Sequence, residues 1–131
     1  MNDTKIIQWV LRIAVAGEFA GHGLFAVGGK EQWIPWVQQF TRTDVALATQ
    51  LLFVVGVMDL LVAFIVLVRP INVVLLWAAF WGFWTALVRP LTGGFQLDPV
   101  LDFIERFANW GAPLALFFLL RRQKDSNKDS N

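Results

Sequence analysis

VALATQLLFVVGVMDLLVAFIVLV, residues 45–68, carries a single charged side chain, Asp59. About 20 predominantly apolar residues in a helix suffice to cross a bilayer, so this run reads as a transmembrane helix. The whole chain agrees with that reading. Of its 131 residues 56% are hydrophobic, with seven Trp, twelve Phe, no Tyr and no Cys. Such a composition belongs to membrane proteins rather than to ordinary soluble domains. A net charge of +1 gives no basic surface for nucleic acid. Without cysteine there is no disulfide, thiol redox centre or iron–sulfur cluster.

Three more stretches have the same character, so the expected fold is all-α, a four-transmembrane-helix bundle in residues 1–120. Its spans are read at about 6–27, 45–68, 71–88 and 100–120. Residues 14–16 mimic a signal-peptidase site, but hydrophobicity continues past them, so a retained helix is expected. The third span is read as stopping before Arg89-Pro90, and the fourth as capped by Asp98 with Pro99 behind it. Lys5, Arg12, Arg69, Arg121, Arg122, Lys124 and Lys128 gather at one end, against Lys30, Arg42 and Arg89 at the other. The positive-inside rule then puts both termini in the cytoplasm and the protein in the cell membrane, among lipid. The charged residues 121–131 lack an apolar stripe and are expected to be disordered. Residues 31–40, rich in Trp, read as an interfacial segment, with a lid as the alternative.

Ionisable groups inside such spans are expensive and mark functional sites by default. Glu18 and His22 stand four residues apart, hence on one helical face, with Gly17 and Gly21 beside them where another helix could approach. At a rise of about 1.5 Å per residue, Glu105, Arg106 and Asn109 of the fourth span fall at the same depth. Pro113 leaves the Asn109 carbonyl without its usual donor. Trp77, Trp81, Trp84, Thr85 and Arg89 form one broad face of the third span. The expected site therefore has Glu18, His22 and Glu105 as proton-handling groups. Trp81, Trp84, Thr85, Arg89, Arg106 and Asn109 are its expected ligand contacts. Arg12 and Asp59 are expected to form a structural ion pair; the alternative makes Asp59 an inner proton relay to Glu18.

One histidine with scattered carboxylates is a poor metal or haem site, and neither is expected. A quinone fits better, since Trp can stack on its ring while His22 and Arg106 donate to its oxygens. The segments Arg12-Ile13-Ala14-Val15-Ala16-Gly17, His22-Gly23-Leu24, Gly28-Gly29-Lys30 and Gly56-Val57-Met58-Asp59-Leu60-Leu61-Val62-Ala63 carry a resemblance. Through them the chain resembles the small four-helix membrane proteins of the DoxX/DoxX-like family. That resemblance implies a four-helix bundle and, in some relatives, a subunit of thiosulfate:quinone oxidoreductase. His22-Gly23 is similar to the family's helix-one His-Gly, and Asp59 stands where an acidic residue is common in helix two. The leading expectation is a quinone-linked redox subunit working with a partner redox subunit or as a homo-oligomer. The alternatives are a non-catalytic anchor or assembly subunit, and a carrier of a small solute entering past Arg89.

Overall fold

Side-chain caps start two of the long helices. Asn2 Oδ1 accepts from the Lys5 N–H at 3.0 Å, and Asp44 Oδ1 accepts from the Leu47 N–H at 2.8 Å. Each satisfies a donor that a helix start otherwise leaves bare. The computed structural model describes residues 2–128. Its elements are α1 (Asp3–Val27), a 3₁₀ turn (Glu31–Trp33), α2 (Ile34–Thr41), α3 (Val45–Val68), α4 (Asn72–Gly93), α5 (Leu97–Ile104) and α6 (Phe107–Lys128). Helices α1, α3, α4 and the α5–α6 pair are each long and apolar enough to cross a membrane.

The helices pack in two pairs, α1 on α3 and α4 on α6, with α1 also against α6. Helices α3 and α4, although consecutive, barely touch. Glycine sets both pairings. A Cβ on Gly56 would fall 2.6 Å from the Val27 nitrogen and 2.7 Å from the Gly23 carbonyl oxygen. One on Gly82 would fall 2.5 Å from the Asn109 carbonyl oxygen, the acceptor that Pro113 deprives of its donor. Between membrane helices association rests on close packing, which small residues permit. All four units meet only toward the end bearing the termini. There Val15, Phe19, Val62, Val66, Leu75 and Leu116 form the buried core.

Several boundaries differ from the sequence reading. Helix α4 continues through Pro90 to Gly93 rather than stopping at residue 88. Side chains serve the carbonyls around that proline: Arg89 donates to Thr85 O at 3.0 Å and Thr92 to Val88 O at 2.8 Å. The fourth span is broken at Glu105–Arg106, because the Arg106 guanidinium takes the Asp102 carbonyl at 2.8 Å. The Arg106 N–H turns to Phe103 O instead, at 3.2 Å. Gln96, not Asp98, is the N-cap of α5, and Pro99 sits in its first turn. The tail expected to be disordered is helical as far as Lys128, since Arg, Gln and Lys extend an existing helix readily; residues 129–131 lie outside the described part. Gly17 and Gly21, expected to receive a neighbouring helix, have nothing within 4 Å of an added Cβ.

Alanine substitution separates these two classes of glycine. Gly56→Ala and Gly82→Ala should each destabilise the protein by about 1–3 kcal/mol through overpacking. Gly17→Ala and Gly21→Ala should be neutral or raise stability by up to about 1 kcal/mol through helix propensity. Thermal unfolding in detergent measures the difference.

Candidate functional site: an aromatic cavity between α3 and α4

The divergence of α3 and α4 leaves a cavity of about 350 Å³, covered at one end by α2. Ligand pockets usually begin at about this size, with apolar walls and a few polar groups. Trp81, Trp84, Thr85, Val88 and Arg89 line it from α4; Leu51, Leu52, Val55 and Asp59 from α3; and His22 from α1. Helix α2 adds Trp36, Val37, Phe40 and Thr41, and the preceding turn adds Trp33. The segment read as interfacial is therefore a cover. Phe40 packs on Trp84 with ring centroids 5.5 Å apart, and Trp33 meets the His22 ring edge-on at 5.4 Å. Spacing at 33, 36, 37 and 40 is helical, a signal present in the sequence but short enough to be absorbed into the interfacial reading.

The cover is held at both ends. Gly29 takes a left-handed conformation (φ 67°) where α1 stops. Arg42 does the same at the end of α2 (φ 55°), its N–H bonded to Gln38 O at 2.7 Å. Gln38 Nε2 donates to Thr43 O at 3.3 Å across the link into α3.

Of the expected site residues, His22, Trp81, Trp84, Thr85 and Arg89 share this cavity. Glu18, Glu105, Arg106 and Asn109 do not line it. Glu18 is half-buried and close enough to Asp59 for their charges to interact. The expected meeting of Glu18 and His22 with the stripe of the fourth span is not formed at the cavity, because that stripe satisfies itself at the α5–α6 break. Glu105 is exposed and ion-paired with Arg106, which also lies 3.7 Å from Asp102. The Asn109 carbonyl is covered by α4 at Gly82.

Arg89 is a fixed cation at the α2 end of the cavity. Besides its bond to Thr85 O, it lies 4.0 Å from the Asp102 carboxylate and its guanidinium sits 5.3 Å from the centre of the Trp36 ring. Thr85 in turn donates to Gly82 O at 3.2 Å.

The expected Arg12–Asp59 pair is not formed. Arg12 instead reaches the C-terminus of α3, where its Nε donates to Val66 O at 3.2 Å and its Nη2 to Leu67 O and, at 2.9 Å, to Val68 O. Trp9 covers the guanidinium at 4.0 Å. The last turn of a helix has carbonyls without internal partners and a partial negative charge, which together suit a guanidinium fork. Asp59, only 3% exposed, is left facing the cavity, and its Oδ1 has no hydrogen-bond partner among the described residues. The Nε1 of Trp81 is in the same position. No group of three or more His, Cys, Asp or Glu able to hold a metal ion occurs among the described residues.

Two substitutions check this assignment. Arg12→Ala should lower stability by about 2 kcal/mol, since it strands the buried Val66 carbonyl and two part-buried ones beside it. Combined with Asp59→Asn, its effect should add within about 0.5 kcal/mol, as for sites with no shared partner; a larger coupling in thermal unfolding would restore the ion pair. No protein family, curated protein or solved structure matches this chain.

Proposed function

We propose that the protein is a multi-pass protein of the cytoplasmic membrane that binds a flat amphipathic ring compound of the quinone class between α3 and α4. It serves there as the small quinone-linked subunit of an oxidoreductase. One observation carries this reading: a cavity walled by Trp36, Phe40, Trp81 and Trp84 that holds only a few polar side chains. Aromatic walls suit a ring face, and the polar groups fix its orientation. Arg89 takes the role first given to Arg106, that of a cation facing a ring oxygen, with His22 and Thr85 as further hydrogen-bonding groups. Asp59, with Glu18 behind it, offers a route for protons toward the other end of the bundle. The resemblance to DoxX-like proteins supports the same reading. Electrons must come from a partner subunit, for which the open Gly17 and Gly21 face offers a packing surface.

Mass spectrometry of the gently solubilised protein tests the proposal, together with binding of an added short-chain quinone in nanodiscs. A quinone-class compound should co-purify or bind. Trp84→Ala should weaken that binding about three- to tenfold, the range of one aromatic stacking contact. A preparation that neither carries nor binds such a compound ends the proposal.

The proposed orientation, both termini cytoplasmic, follows from the Lys and Arg distribution. With no native cysteine to interfere, Lys124→Cys should react with an impermeant maleimide only in inside-out vesicles, and Gln39→Cys only in right-side-out ones. The reverse pattern would invert the topology.

A further inference from the structure

The carboxyl group that lines the cavity, Asp59, has one oxygen, Oδ1, with no hydrogen-bond partner among the described residues. Arg12 is bonded to the end of α3, and Arg89 to Thr85 O and the side of Asp102. Asp59 Oδ1 and Trp81 Nε1 are both buried with no geometrically closed hydrogen bond among the described residues, although the indole N–H is close enough to the carboxyl to interact with it. An unmet buried acceptor beside an unmet buried donor is unfavourable on both counts. A ligand that satisfies both atoms supplies a donor to Oδ1 and accepts from the indole. A ring hydroxyl does both through one oxygen. A ketone oxygen does only the second, since it accepts from the indole but brings no donor to Oδ1.

Placement along α4 agrees with this division. Thr85 and Arg89 stand about 6 and 12 Å from Trp81 toward the α2 end, at the helical rise per residue. The donor-rich end of the cavity and its carboxyl end are therefore separate. Trp77 stacks on Trp81 with centroids 5.5 Å apart and planes 13° apart, which holds the indole in place.

The geometry points to Asp59 and Trp81 as a recognition point for a ring hydroxyl, so that the cavity takes the hydroxyl-bearing form, a phenol or hydroquinone, in preference to the oxidised quinone. This rests on the ring-binding reading above and specifies which form of the ring is held.

The test uses three probes of the same ring and alkyl chain: a 4-alkylphenol, its methyl ether, and the corresponding alkyl-benzoquinone. The ether keeps the oxygen and loses only the donor. Equilibrium dialysis against the full chain in nanodiscs should show the phenol bound about tenfold more tightly than the ether, and more tightly than the quinone, the difference made by one buried hydrogen bond. Asp59→Leu should abolish the preference for the phenol over the ether. Asp59→Asn, whose amide presents donors, should narrow the gap between phenol and quinone. Equal binding of phenol and ether by the unaltered chain, or a preference that survives Asp59→Leu, overturns the assignment. If the quinone alone binds, the hydroxyl preference falls while the ring-binding reading stands; if none of the three binds, both fall.

Discussion

Direct backbone contact at Gly56 and Gly82 divides the helices into two pairs, and the cavity follows from that division. In lipid no hydrophobic force draws helices together, so the pairs that form are those whose surfaces allow the closest approach. Gly56 lets α3 settle against the Gly23–Val27 turn of α1, and Gly82 lets α4 settle on the Asn109 carbonyl of α6. Each long helix thereby commits its smooth face to one partner. What α3 and α4 can offer each other is bulkier, with Trp81 and Trp84 on one side and Leu52 and Val55 on the other. At the end bearing the termini, Ala63, Ala78 and Leu75 close the gap. Toward α2 the helices stay apart, and the short helix spans the opening.

The charged groups follow the same economy of local satisfaction. Arg12, Arg89 and Arg106 each donate to a backbone carbonyl, at the end of α3, beside Pro90 and at the α5–α6 break respectively. At the end of α3 and at the α5–α6 break the carbonyl served lacks, or has lost, its regular helical donor, and a guanidinium is well shaped to serve it. Carboxylates therefore receive what remains. Asp102 and Glu105, exposed near the break, share Arg106 and Arg89. Asp59, deep on α3, receives no cation at all among the described residues.

These preferences explain which parts of the structure were legible in the sequence. The four membrane-length segments were, because apolar runs of that length have few alternative readings. Trp81, Trp84, Thr85 and Arg89 were placed on one face because helical periodicity is a local rule. Arg12 was matched to the wrong acceptor for a simple reason. A sequence displays carboxylates as letters, whereas the free carbonyls at the end of α3 carry no letter. The same blindness hid the break at Arg106, where a side chain displaces a backbone donor. It also favoured Gly17 and Gly21 over Gly23 and Gly56. Spacing shows where a groove exists, and only the arrangement of neighbours decides which groove is filled. Depth matching failed for the fourth span because level is only one coordinate. Glu105 and Arg106 stand at the break between α5 and α6; Arg106 is near enough to His22 for their charges to interact, yet it does not line the cavity.

The walls of the cavity belong to two separately tightened pairs. Arg89 ties the α4 wall to α5 through Asp102 and to the cover through the Trp36 ring. Phe40 ties the cover to the same wall through Trp84. The cover is in turn joined to α3 by the Gln38–Thr43 bond. Helix α2 is thus the one element that bridges α3 and α4 at the open end, through contacts that are ring-on-ring and cation-on-ring rather than interlocked backbone. Such contacts tolerate sliding far better than the glycine crossings do. Gly56 and Gly82 fix the spacing within each pair, and α2 with its aromatic side chains spans the gap left between the pairs.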